Sequence, residues 1–231
     1  MIYYGFDFLG YGLVIIGAII TLVAQAILNS RYRKFRAIKT AKGLTGCEVA
    51  RKILDENGLQ DIYVTEVSGV LSDHYDPTRK VVRLSKEVFH GDTIAAVSVA
   101  AHECGHAIQH KEGYIFIKIR GFLVPFVNFA SKFGYIAILI GLLFSWMDLA
   151  WGGIGLLLVL LLFQLVTLPT EFDASKRALK ILEADGILDT DEVAGGKSML
   201  TAAALTYVAG LATTLLELLR LVLIVSNRDD R

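Results

Sequence analysis

The stretch Ala100–His110, AAHECGHAIQH, sets His102, Glu103 and His106 in the pattern H-E-x-x-H. Its flanks, VSVAA and AI, are small and apolar, which predicts a buried helix through the motif. At positions i and i+4 two imidazoles rise from one helix face and can present two nitrogens to one tetrahedral ion. Glu103 leaves the helix about 100° round from His102, a placement that suits a base acting on water better than a ligand. The chain has only five histidines, and buried imidazoles and carboxylates without partners are costly. A shared metal is therefore the favoured reading. A catalytic zinc takes three protein ligands and leaves one position open, so a third ligand must come from elsewhere. His110 arrives at the wrong spacing for a third-histidine extension and reads as a polar position at the helix end.

Working outward, the 231 residues are 54% hydrophobic, too apolar for an ordinary soluble domain, so a bilayer must be considered. The formal net charge is zero and offers no global field to recruit nucleic acid. Residues 10–28, GYGLVIIGAIITLVAQAIL, can span a hydrocarbon core of about 30 Å. The basic cluster Arg31, Arg33, Lys34, Arg36, Lys39 and Lys42 follows at once, which places the N-terminus outside and the next segment in the cytosol. Residues 122–146 and 151–168 read as two further spans, joined by a turn without Lys or Arg and edged by Trp146 and Trp151. Residues 200–226 form either a fourth span or an interfacial helix. Within them Glu217 and Arg220 stand at i,i+3 spacing and read as a structural ion pair. The expected fold class is a mainly α membrane protein of three to four transmembrane helices, with a single membrane-embedded domain covering residues 1–231.

The portion outside the bilayer is expected at 29–120, with a second helix at 170–197. Thr45 and Glu48 match a capping box, Val49, Ile53 and Leu54 supply an apolar stripe, and Asn57-Gly58 ends the helix. Two short β-rich runs around a polar turn follow, so the order is helix, small β-hairpin, motif helix. The run KVVRLS is either an edge strand able to pair with an extended substrate or an internal hairpin strand. Cys47 and Cys104 lack metal-finger spacing and read as small buried thiols. For the third ligand, two crossings carry the chain away from His106 and back to Glu171. Asp173 is the rival, although with Thr170 it also matches an N-cap. Ala174 and Ser175 are small enough to let this helix approach the motif helix. Candidates to stabilise an oxyanion are His74, Tyr75 and Arg177, each with a plainer reading as a turn residue or surface contact.

The segments TGCEVARKILDENGL, LSDHYDP, VRLS, AAHECGHAIQH, LVTLPTEFDASKRAL and LTAAALTY together resemble the bacterial YugP-like membrane zinc metallopeptidases, which are gluzincin-like. The resemblance covers most of the chain. It implies a zincin-like α+β cytosolic portion, one zinc ion held by His102, His106 and Glu171, and Glu103 as the catalytic residue. Around Glu171 the chain is also similar to the integral-membrane HtpX-type peptidases, but those show an acidic residue where this chain has Ser175. The function expected is zinc-dependent hydrolysis of polypeptides near the membrane, by an integral protein of the bacterial plasma membrane with its site on the cytosolic side. An oligomer or a regulatory membrane partner is compatible with this. The rival is a non-hydrolytic membrane scaffold or partner-binding protein with a structural metal site, which has no need of Glu103. A small transporter using Glu217 and Arg220 is disfavoured, because no inverted repeat is visible.

Overall fold

The computed structural model describes residues 3–229. In chain order the elements are α1 (Tyr3–Phe35), α2 (Gly46–Glu56), β1 (Tyr63–Val67), β2 (His74–Asp76), β3 (Val81–Ser85) and α3 (Lys86–His90). The motif helix α4 (Ile94–Glu112) follows, then α5 (Ile115–Leu143), α6 (Met147–Ala184) and α7 (Thr190–Asp229). Among the described residues, α1, α5, α6 and α7 are long and apolar enough to cross a membrane. A helix suits that setting because it satisfies its backbone polar groups internally. The 200–226 run is thus part of a fourth helix of spanning length.

Two boundaries differ from the sequence reading. A helix was expected over 170–197, beginning after Pro169, but α6 runs through Pro169 without a break and ends at Ala184. An interior proline removes one backbone donor, and apolar membrane-type helices tolerate this when the remaining ladder holds. Thr170 and Asp173 therefore lie inside a helix and do not form an N-cap. The chain instead turns at Gly186, whose φ of 58° suits glycine. Next, Asp189 and Glu192 exchange backbone-to-carboxylate hydrogen bonds of 3.0 Å each to open α7.

The chain forms two compact units, one comprising Ala26–Lys118 and Pro169–Ala204. Its core gathers Val49, Ile53 and Leu54 from α2, Val82 and Leu84 from β3, Val97, Ala101 and Cys104 from α4, and Leu182, Leu188 and Met199. The Thr45–Glu48 capping box forms as expected, and the α2 stripe is fully buried. The two β-rich runs expected as hairpin arms become β1 and β3, and these pair parallel; the antiparallel hairpin is instead β2 with β3, β2 arising from the stretch read as the turn, which gives the order β1-β3-β2. KVVRLS is consequently central and not an edge. Its composition explains why: Val81, Val82, Leu84 and Ser85 are all buried, the near-continuous pattern of a strand covered on both faces. Asp73 ties the sheet's end, accepting hydrogen bonds from the Ser85 backbone N–H (2.7 Å) and hydroxyl (3.2 Å).

The second unit takes the apolar lengths of the four long helices. Small residues let α5 and α6 touch: a Cβ on Gly153 would meet Gly134 O at 2.7 Å, and one on Gly141 would meet Ala150 N at 2.6 Å. Close backbone approach of this kind is how helices associate where no hydrophobic difference from lipid drives them. Between α1 and α7 the hydroxyls of Thr21 and Thr213 lie 3.1 Å apart. Arg220 donates to Glu217 at 2.9 Å, forming the ion pair read from the sequence. Gly153→Leu is expected to lower stability by about 1–3 kcal/mol through overpacking, seen as a lower unfolding midpoint in detergent. Gly152→Leu, at a position with open space around it, should leave the midpoint unchanged.

Candidate metal centre

Three side chains converge inside the first unit. His102 and His106 come from successive turns of α4, and Glu171 comes from α6. Glu171 Oε2 lies 3.3 Å from His102 Nε2 and 3.5 Å from His106 Nε2. All three potential ligand atoms fall within 4.8 Å of one another. Ligand atoms about 2.0–2.2 Å from a tetrahedral zinc sit about 3.3–3.6 Å apart along the tetrahedron's edges. Both Glu171–imidazole distances match that spacing, and the donor set of two imidazoles and a carboxylate is one that zinc accepts. The residues present therefore fit the ion. The side chains of Glu171, His106 and His102 are 3%, 10% and 14% exposed, so the cluster is largely dry without being sealed.

The convergence depends on close contact between α4 and α6. A Cβ on Gly105 would lie 2.7 Å from the Ala174 carbonyl oxygen, and Ala174 is itself fully buried. Gly105 thus occupies one of the free places within H-E-x-x-H because no larger residue fits against α6. On the far side of α4, Cys104 Sγ faces the carbonyl of Ala50 at 3.6 Å. Burial pushes this thiol well above its ordinary range, in keeping with an inert packing role. Both cysteines are unpaired thiols.

Each imidazole has a polar partner at the nitrogen facing away from the cluster. Ser175 Oγ lies 3.1 Å from His102 Nδ1, and Gln109 Oε1 lies 3.0 Å from His106 Nδ1. Outer partners of this type fix the ring orientation and tautomer of metal-binding histidines. Ser175 reaches the site one helical turn beyond Glu171. Burial works against the charged form of His106, but its hydrogen bond to Glu171 and the charge of Glu103 outweigh this, so the imidazole holds its proton above its ordinary range. Glu103 is 8% exposed.

The remaining candidates lie around the cluster. Asp173 is turned to Gln109 and Arg177, whose Nε2 and Nε donate to its Oδ2 at 2.8 and 2.5 Å, and is not drawn into the ligand set. Arg177 also donates to Glu112 at 2.6 Å and stacks over Tyr114 at 6.0 Å, so its guanidinium is committed to a structural network. His74 Nδ1 is 2.7 Å from Ser72 O, and Tyr75 packs edge-on against His110 with centroids 6.2 Å apart. His110 is accordingly an aromatic contact at the helix end. The residue missed from sequence is Gln109, fully buried and three places after His106. Its signal was available: an amide on the ligand face of an otherwise apolar helical turn.

Comparison with known proteins agrees with this geometry. A family model described as "Putative neutral zinc metallopeptidase" matches residues 11–226. "Putative membrane protease YugP" of Bacillus subtilis (strain 168) is 47% identical over 207 residues, covering 90% of this chain and 92% of that protein. No solved structure matches the chain significantly.

Metal uptake should depend on pH with a definite sign. A ligand imidazole must be neutral, so protons compete with the ion, and a raised His106 pKa extends this competition to higher pH than for an ordinary histidine. Zinc affinity is expected to rise with pH through neutrality and to fall on acidification. Chelator-competition titrations at stepped pH check this; affinity that stays flat between about pH 6 and 8 would contradict it.

Proposed function

This chain belongs to the family described as "Putative neutral zinc metallopeptidase", and from that premise we propose that it is a membrane-bound, zinc-dependent endopeptidase whose site faces the cytosol. The observation that carries the reading is the pair of Nε2–Oε2 distances, 3.3 and 3.5 Å, which join the two motif histidines to a carboxylate from a distant helix at tetrahedral spacing. His102, His106 and Glu171 are the residues that would hold the ion.

Bound there, zinc supplies Lewis acidity, which lowers the pKa of a water toward about 7 and polarises a carbonyl. The chain's own part in hydrolysis falls to Glu103. Its carboxylate takes the proton from the attacking water as the new C–O bond forms, then delivers it to the amide nitrogen as the C–N bond breaks. A base in this role needs partial burial, which keeps its interaction with developing charge strong, and 8% exposure meets that condition. A purely structural metal site would need no such group, so the buried Glu103 beside the ligand pair favours hydrolysis over the scaffold reading. The basic cluster that follows the first apolar run supports the cytosolic assignment. A site borne by segments that adjoin apolar helices suits polypeptides at or near the bilayer as substrates.

Glu103→Gln is expected to keep zinc at wild-type stoichiometry while lowering cleavage of an unfolded polypeptide by about 10²–10⁴-fold. Undiminished cleavage by this variant would refute the assigned base. Glu171→Ala should lose zinc in the same preparations, read by metal analysis after dialysis. Full retention there would refute the third ligand independently of the base.

A further inference from the structure

We propose that Gln109 is a positioning residue for the metal ligands, setting the tautomer of His106 and holding the Glu171 turn of α6 against α4. The proposal rests on the zinc-site reading above and adds to it a residue outside the ligand set.

The argument begins with an ambiguity that the surroundings resolve. A glutamine amide can be turned either way, and its oxygen and nitrogen are told apart only by their partners. One end of the Gln109 amide lies 2.8 Å from Thr170 O and 2.8 Å from Asp173 Oδ2. A carbonyl oxygen and a carboxylate oxygen both accept, so the end facing them must be the amide nitrogen, whose two N–H groups match the two acceptors. The other end, facing His106 Nδ1 at 3.0 Å, must then be the carbonyl oxygen. An acceptor at that place requires the proton of neutral His106 to sit on Nδ1. The lone pair is left on Nε2, the nitrogen that faces Glu171.

A single fully buried side chain thereby acts on two ligands. It orients His106 within α4, and it holds the backbone of Thr170, the residue before Glu171, in α6. Its third contact extends the restraint, since Asp173 accepts from Arg177 and Arg177 donates to Glu112 at the end of α4. The chain of hydrogen bonds leaves α4 at Gln109, crosses α6 at Asp173 and Arg177, and returns to α4 at Glu112. Packing alone does not require this pattern, because an apolar side chain of the same length would fill the space.

The test uses the full-length protein in detergent. Zinc affinity is measured by chelator competition, and cobalt substituted for zinc reports ligand geometry through its visible spectrum. Gln109→Met, close in volume and without hydrogen bonds, should weaken zinc by about 10–100-fold and shift the cobalt spectrum, with His102, His106, Glu103 and Glu171 intact. Wild-type affinity together with an unchanged spectrum would overturn the proposal. If the methionine variant does not fold, Gln109→Glu keeps an oxygen for His106 Nδ1–H but turns a carboxylate oxygen on the two acceptors, so zinc should weaken through the Glu171 turn alone; wild-type affinity with an unchanged spectrum would overturn the hold on α6. A third reading needs no variant: histidine nitrogen NMR of the zinc-loaded wild type should show His106 protonated at Nδ1. Metal ligation through Nδ1 would overturn the proposal. A wild-type protein that takes up no zinc would instead overturn the zinc site itself, which separates the two failures.

Discussion

The approach of α4 to α6 at Gly105 is the constraint on which the metal cluster depends. The space there is so tight that a single methyl group would lie 2.7 Å from the Ala174 carbonyl oxygen. Glu171 and Ser175 flank that contact along α6, while His102 and His106 flank it along α4. Where the two backbones meet, short side chains can span the gap, so a carboxylate from one helix reaches both imidazoles of the other. Moving the helices apart by the width of a methyl group would stretch distances of 3.3 and 3.5 Å beyond those that one ion can bridge. Helix contact and chemistry are therefore one problem, solved by small residues at positions whose neighbours carry the ligands.

Charge makes the same point from energetics. A carboxylate that is 3% exposed has lost nearly all its water, and such a group persists only where paired and hydrogen-bonded. The two imidazoles supply part of this compensation, and a divalent cation supplies it more completely. The raised pKa of His106 expresses that demand: beside Glu171 and Glu103 the site favours added positive charge strongly enough to outweigh the cost of burial. A proton and a metal ion answer the same electrostatic need, and they compete for that reason.

Much of this was legible in the sequence because it is local. The H-E-x-x-H spacing is a property of one helix, the Thr45–Glu48 capping box spans four residues, and apolar length alone marks the long helices. Glu171 was reachable because two apolar runs separate it from the motif, which reads in sequence as one crossing out and one back. What escaped depends on partners far apart in the chain. Pro169 suggested a helix start because local propensity disfavours it inside a helix, yet α6 continues through it. The runs that became β1 and β3 looked like the two arms of one hairpin, yet they pair parallel, and the antiparallel partner of β3 is β2, from the stretch read as a turn. Gln109 drew no reading from the sequence, because only the position of Thr170 and Asp173 across the helix contact gives it a task.

The outer partners of both imidazoles, Ser175 and Gln109, are uncharged side chains. A zinc ion held by His102, His106 and Glu171 would bring two positive charges to offset the carboxylates of Glu171 and Glu103. Asp173, one step further out, is balanced by Arg177 at 2.5 Å. Serine and glutamine lie within hydrogen-bonding distance of the two Nδ1 atoms while adding no charge. An acid in either place would leave a net negative charge in a poorly solvated region, where unpaired charge is expensive. Neutral partners thus orient the imidazoles without adding charge, and the nearest further carboxylate, Asp173, is paired with Arg177 and kept one hydrogen bond away behind an amide.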